Sequence, residues 1–409
     1  MAANLREDNA RRSLRAHFGD LPFNPPNDQK FGSETYTVQH LYTPESPWVH
    51  LKSELYQSKS YLRQTTDISS SYADSINYGG EVSNRMTVSE AVQITAGADF
   101  HVEKSQGVRS TGSAFEEGRI LGVFTQAQYQ PFKKWIFSAG LRFDNYDFED
   151  ALSNQYSMHH YSPNVRVQYL WNDIYSSYAS WSQAYRGATP TEAFLMGNVQ
   201  SITTASDLKG TVAETAEVGI RLQSQRWDAR VAYYQTVLQD LIESNVSRTT
   251  GAMTRSNAEE DLKTQGVQLS INYNHEVFTV RGGYSHNKAE YGDEPLGYSS
   301  FYKGSSSGDR FLVGVDYRLL DANMLISWDS LVVLKMTDVP STSVEQPGYD
   351  IHDIGISWTP HERWRVGFNI LNIFDKEYVA QGTPYQVQNG INPIYEPGRD
   401  FRLTTSYVF

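Results

Sequence analysis

Trp135-Ile-Phe-Ser-Ala-Gly-Leu-Arg-Phe-Asp144 is the stretch on which the fold is decided. Successive side chains of an extended chain point to opposite faces. Trp135, Phe137, Ala139, Leu141 and Phe143 therefore share one face, while Ser138, Gly140, Arg142 and Asp144 share the other. The same rule separates Phe311, Val313, Val315, Tyr317 and Leu319 from Leu312, Gly314, Asp316 and Arg318. It separates Trp227, Ala229, Val231 and Tyr233 from Asp228, Arg230, Ala232 and Tyr234. At the chain end, Phe401, Leu403, Thr405, Tyr407 and Phe409 oppose Arg402, Thr404, Ser406 and Val408. Runs of about ten residues match a tilted strand crossing a bilayer, whereas sandwich strands average about five to six.

Composition points the same way. The 409 residues are 39% hydrophobic and 13% aromatic, with 27 Tyr, 18 Phe and 8 Trp, and the mean hydropathy is -0.53. No stretch approaches the roughly 18 apolar residues of a lipid-spanning helix, yet a chain this rich in Tyr, Phe, Val and Ile has ample material to order. The absence of cysteine excludes disulfides, zinc–thiolate sites and thiol catalysis. A formal charge of -12 argues against nucleic-acid partners, since phosphate contact needs a basic face. Met1 to Asp20 carries scattered charges and no apolar run, so either the chain is cytoplasmic or its export signal lies elsewhere.

Connections alternate in length. Short turns fall near residues 44–47, 86–90, 131–134, 172–173, 224–226, 274–276, 320–323 and 360–363. Long polar connections fall near 61–73, 104–118, 149–157, 187–210, 243–261, 291–307, 337–346 and 378–396. Short turns at one end and long loops at the other are the arrangement of outer-membrane barrels. Trp48, Trp135, Trp171, Trp227, Trp358 and Trp364 sit near the short turns, as an aromatic girdle at the lipid–water boundary would. The expected fold class is all-β: a transmembrane antiparallel up-and-down β-barrel with about 17 strands present. Residues 1–32 are expected to be an outer loop or irregular N-terminal segment, and 33–409 an incomplete barrel. An odd count implies that the first strands lie outside the chain, because single-chain bacterial barrels have even strand numbers.

Several segments resemble the TonB-dependent outer-membrane receptors. Gly367-Phe-Asn-Ile-Leu-Asn-Ile-Phe-Asp-Lys-Glu-Tyr378 is similar to that family's penultimate strand, and Glu396-Pro-Gly-Arg-Asp-Phe-Arg-Leu-Thr-Thr-Ser-Tyr-Val-Phe409 to its closing strand. Upstream, Tyr161–Tyr169, Tyr178–Gly187, Glu214–Arg221 and Asn257–Gln268 follow the family's order. The resemblance implies a barrel of about 22 strands with a plug and a TonB-engaging segment beyond this chain. It also implies uptake of an iron chelate, above all a ferric siderophore, and Phe409 as the signal read by the outer-membrane assembly machinery. Without its plug the chain is not expected to transport.

Ligand contact is expected in the outer loops. Tyr291, Tyr298, Phe301 and Tyr302 lie in one, Tyr378, Tyr385 and Tyr395 in another, and Arg186 ends a strand; aromatics among Gly, Gln and Asn suit a bulky, partly apolar chelate. Within Met158-His159-His160 only one histidine can face the lumen, so the pair cannot chelate one metal from a regular strand. Heme receptors of the family carry a ligand His between a Phe-Arg-Ala-Pro and an Asn-Pro-Asn-Leu segment. Here those places read Tyr185-Arg186-Gly187-Ala188 and Ala205-Ser206-Asp207-Leu208 with no His between, although Pro47–Tyr56 resembles that branch, and heme stays as the alternative ligand. A diffusion porin of about 16–18 strands is the other alternative. No metal site and no cofactor are expected, and with no Gly-x-Ser-x-Gly, HExxH or phosphate loop neither is catalysis.

Overall fold

The computed structural model describes every residue except 1, 14–25, 66–69, 110–111, 191–200, 247–251, 297–302, 305, 342, 383–394 and 409. An extended segment cannot satisfy its own N–H and C=O groups, so each strand must pair with another. The chain accordingly runs as a succession of strands: β1 (Ala2–Ser13), β2 (Pro26–Tyr42), β3 (Leu51–Thr65), β4 (Ser70–Ser89), β5 (Val92–Arg109), β6 (Gly112–Phe132), β7 (Trp135–Glu149), β8 (Gln155–Leu170) and β9 (Tyr175–Arg186). After β10 (Ser201–Thr204) come β11 (Thr211–Gln223), β12 (Trp227–Gln239), β13 (Ile242–Val246) and β14 (Ala252–Asn257). The chain ends with β15 (Leu262–Asn274), β16 (Phe278–Tyr291), β17 (Glu294–Pro295), β18 (Arg310–Leu319), β19 (Met324–Val333), β20 (Tyr349–His361), β21 (Trp364–Leu371) and β22 (Asp400–Tyr407). Among the described residues the one helical element is a 3-10 turn at Leu320–Ala322.

Nineteen strands belong to one sheet and three, β10, β13 and β14, to another. Two compact units divide the chain. In the first, β1 to β7 pair in sequence order, each antiparallel to the next. In the second, β15, β16, β18, β19, β20, β21 and β22 do the same, with β17 folded back on β16.

Register carries the two faces from strand to strand. Val280, Val315, Trp328, Ile354, Ile370 and Phe401 stand opposite one another in turn, forming one apolar row across six strands. One residue along, Arg281, Gly314, Asp329 and Asp353 form a polar row on the reverse face. In the first unit Ala98, Val123 and Phe143 align likewise, against Asp99, Gly122 and Asp144. The apolar rows are half-buried to exposed rather than buried, with Phe401 at 61% and its face-mate Leu403 at 75%. Apolar contact with a surrounding lipid phase, not an internal core, is what this pattern is built for.

The polar face repeats one device in both units. Arg142 reaches over Gly122 to Asp99 (2.6 and 2.9 Å) while its Nε donates to Asp144 (2.8 Å). Arg281 reaches over Gly314 to Asp329 (2.8 Å) and also pairs with Asp316. A Cβ on Gly122 would overlap the Arg142 guanidinium, and one on Gly314 would meet Asp329 Oδ1 at 2.5 Å and Arg281 Nη2 at 2.7 Å. Glycine is what lets each guanidinium lie flat along the wall.

Three expectations change. The irregular segment expected over residues 1–32 is largely a hairpin, because Ala2–Ser13 pairs with Pro26–Tyr42 from Ala2↔Thr37 to Ser13↔Pro26. The long loops expected over 61–73 and 104–118 are mostly strand, since β3 and β4 stay paired to Thr65↔Ser70 and β5 and β6 to Arg109↔Gly112. A strand that projects beyond lipid meets water on both faces, so polar residues occupy both, alternation disappears and the sequence reads as loop. The strands β2 to β9, β11, β12, β15, β16 and β18 to β22 recover the seventeen expected from Ser33 onward, and β1 adds one before them.

Three substitutions test these readings. Val313→Arg should destabilise by about 2–4 kcal/mol while its neighbour Leu312→Arg is tolerated, measured as the temperature at which the detergent-extracted protein loses its compact electrophoretic form. Gly122→Leu should cost about 1–3 kcal/mol in the same assay by displacing Arg142 from its two carboxylates.

Candidate functional site

The ends of β7, β8 and β9 that lead into the long connections do not stay polar on the polar face. Alternation places Tyr146 and Phe148 on the same side of β7 as Arg142 and Asp144, and Phe148 packs with Met158 of β8. His160, two residues beyond Met158, stacks on Tyr185 of β9 with centroids 4.9 Å apart and planes at 17°. Tyr185 in turn meets Tyr146 edge-on at 5.7 Å. His159 turns the other way, toward Phe143 of the apolar face. The result is an apolar, aromatic shelf on a face otherwise lined by ion pairs.

Residues from two long connections cover this shelf. Ala188 and Leu208 are buried against Phe148 and Met158, and Ile242 packs beside them. Gly187 and Gly210 lie directly on the rings of Tyr146 and Tyr185, where any Cβ would overlap them. Above, β10 runs parallel to β14 from Ser201↔Ala252 to Thr204↔Arg255, and β13 pairs antiparallel to β14. Ile202 and Met253 from this small sheet bury Ala114 of β6. Asn257 fastens the two connections together, donating to the carbonyls of Lys209 (2.9 Å) and Asp240 (2.7 Å) and accepting from Lys209 N–H (2.8 Å).

One ion pair ties the small sheet to the wall. Arg255 and Glu116 are both 0% exposed. Arg255 Nη1 and Nη2 donate to the Glu116 carboxylate at 3.0–3.1 Å, Nη1 also donates to Thr204 Oγ (3.1 Å), and the guanidinium lies 4.6 Å over the Phe148 ring. Beside it, buried Asp150 accepts from the N–H groups of Leu152 and Asn154 (both 2.9 Å), which sets the β7–β8 turn. Two polar atoms on the shelf have no hydrogen-bond partner: Nε2 of His160 and Oγ of Ser162, the latter residue 5% exposed.

The residues expected to meet ligand are not gathered into one place. Arg186 ends β9, exposed, with Thr189 at 3.4 Å. Tyr291 ends β16 with Lys303 Nζ 3.7 Å from its ring centre. Tyr378 packs on Tyr349 (4.6 Å), and burial followed by the Glu396 carboxylate pushes its hydroxyl pKa upward. Tyr395 is exposed. Tyr298, Phe301, Tyr302, Tyr385 and Phe409 lie outside the described residues. Around Tyr378, Gln381 knits three connections by donating to the carbonyls of Leu334 and Pro347 and accepting from Gly308 N–H. Asp309 adjoins them; burial alone would raise its pKa, but hydrogen bonds from His286 (2.7 Å) and Tyr284 (2.8 Å) hold it below the usual carboxylate range. Trp48, Trp135, Trp171, Trp227, Trp358 and Trp364 are all exposed at short-turn ends of their strands.

The shelf was partly readable. Alternation through Met158-His159-His160 requires one imidazole on the polar face, but which one, and that Tyr146 and Tyr185 flank it, needs the strand neighbours. No signal in the sequence pairs Arg255 with Glu116, 139 residues apart.

Residues 3–373 match the family model described as TonB dependent receptor-like, beta-barrel. The heme transporter BhuA of Brucella suis is 23% identical over 348 residues, 81% of this chain and 51% of its own length. The heme/hemopexin utilization protein C of Haemophilus influenzae is 21% identical, over 97% of this chain and 59% of its own. This chain thus spans about half the length of those curated relatives. Among solved structures, the FrpB iron transporter of Neisseria meningitidis superposes with a TM-score of 0.86 at 16% identity, over 99% of this chain and 68% of that one.

Removing one partner of a buried pair leaves the other uncompensated, at about 3–5 kcal/mol. Glu116→Ala should therefore accelerate amide exchange across 252–257 by roughly a hundredfold to a few thousandfold while exchange in β3 to β5 stays unchanged.

Proposed function

This chain belongs to the TonB-dependent receptor family of β-barrels, and from that premise we propose that it is the barrel portion of an outer-membrane receptor that takes up iron as heme. Members of this family are receptors and transporters rather than enzymes, and the diffusion-porin alternative falls away with the family assignment. The observation that carries the heme reading is the covered shelf of Tyr146, Phe148, Met158, His160 and Tyr185. Apolar and aromatic, it is the chemistry that a bulky, apolar macrocycle would meet. The names of the curated relatives, a heme transporter and heme/hemopexin utilization proteins, support the same choice.

A ferric siderophore is the second reading. The contact of Lys303 with the Tyr291 ring favours it, because a cation beside an aromatic at a strand end suits an anionic, partly aromatic chelate. The same reading takes the remaining partners to be lipid against the apolar rows and the exposed tryptophans, the assembly machinery at Phe409, and TonB.

An iron-starved bacterium without heme receptors of its own, given the receptor that carries this chain, should grow with heme as sole iron source and lose that growth when TonB is deleted. Growth on ferric siderophores but not on heme would overturn the heme reading in favour of the second.

A further inference from the structure

The apolar face of β2 to β6 carries a groove. Val38, Leu55, Gly80, Phe100 and Leu121 stand opposite one another in turn across these five strands. All but the glycine are exposed, and they border a cavity of about 460 Å³ whose accessible lining is almost wholly apolar. The depression comes from small residues. Gly80 has no side chain and Ala98, diagonal to it, only a methyl group. Leu55 and Phe100 lean toward the gap, since a Cβ on Gly80 would lie 2.5 Å from Leu55 Cδ2 and 3.1 Å from Phe100 Cε1. The neighbouring carboxylates turn to the reverse face, where Glu54 accepts from Gln39 (2.6 Å) and Asp99 from Arg142 (2.6 Å).

One corner of the groove is polar. His40 and Ser53 pair there across β2 and β3, and neither side chain has a hydrogen-bond partner among the described residues. His40 lies just before β2 ends at Tyr42 and the short turn with exposed Trp48 begins, which puts this corner at the lipid–water boundary of the short-turn side. Leu121, at the other end, lies well away from the short turn that follows Phe132. Strands of a barrel are tilted, so a row across them climbs through the hydrocarbon. Four steps between neighbouring strands at about 4.8 Å make roughly 19 Å, the reach of one inclined acyl chain over about half of a 30 Å hydrocarbon core.

Polarity and length together specify an amphiphile. Resting on the outer-membrane reading, we propose that the groove is a binding site for one phospholipid of the periplasmic leaflet. An acyl chain fills the depression over Gly80 and Ala98, and the ester or phosphate oxygens accept from the Ser53 hydroxyl and an imidazole N–H of His40. Surrounded by hydrocarbon, the chain gains nothing from leaving water, so packing and hydrogen bonds hold it. An unfilled groove would forfeit the contacts of its whole lining.

Native mass spectrometry of the receptor that carries this chain, extracted from outer membranes and exchanged extensively into lipid-free detergent, tests the proposal. The unaltered receptor should retain one intact phospholipid per chain. Ala98→Phe, which fills the groove, should cut the lipid-bound fraction at least about tenfold, and His40→Leu several-fold by removing a donor. Val313→Phe, on the apolar face of β18 outside the groove, should retain lipid as the unaltered receptor does. A compact electrophoretic form certifies folding of each variant. A receptor that emerges lipid-free, as a monomer or as a dimer, or that carries a free fatty acid instead, overturns the proposal, as does undiminished retention in folded Ala98→Phe or His40→Leu. A receptor that fractionates away from the outer membrane overturns the membrane reading itself.

Discussion

Backbone pairing between neighbouring strands is the constraint from which everything else in this protein follows. Where one face of a sheet meets hydrocarbon, no water is present to satisfy an orphaned N–H or C=O, so strands must pair along their whole apolar length. Pairing fixes register, and register converts the period-two sequence into continuous rows such as Val280–Val315–Trp328–Ile354–Ile370–Phe401. A slip of one residue would put Arg281 and Asp329 into that row, an error too costly to be tolerated.

The polar face is organised by a second, weaker rule. Charges there sit in bridged sets, Arg142 with Asp99 and Asp144, Arg281 with Asp316 and Asp329, each laid flat over a glycine. Apart from buried Asp144 these groups are partly exposed, so their attraction is screened and adds little to stability. Their effect is geometric: they keep long side chains against the wall. Arg255 and Glu116 differ in kind, because complete burial makes each depend on the other. The first sort of contact lines a surface, and the second holds a small sheet over an aromatic shelf.

Legibility followed the solvent. Where lipid lies on one side and water on the other, as over Trp135–Phe143, sequence alternation and structure coincide residue by residue. Beyond the lipid, where both sides are polar, the extensions of β3 to β6 read as loops and the hairpin of β1 with β2 as irregular chain. Tyrosines of the long connections stand out as aromatic among polar neighbours, yet Tyr378 packs against Tyr349. The aromatic shelf is not legible in the sequence because Tyr146 and Phe148 continue an ordinary alternating run and gain their character only from neighbours on β8 and β9.

By itself the sequence determined the strand pattern, the faces, the placement of the tryptophans and the family, since each is a property of residues close together in the chain. Tertiary structure alone decided that His160 rather than His159 stacks on Tyr185, that Gly187 and Gly210 rest on two tyrosine rings, and that Arg255 meets Glu116. Those contacts join residues 25 to 139 positions apart along the chain, as in Tyr185 to Gly210 and Glu116 to Arg255. No local pattern encodes such distances, because they are set by the cumulative register of every strand between them.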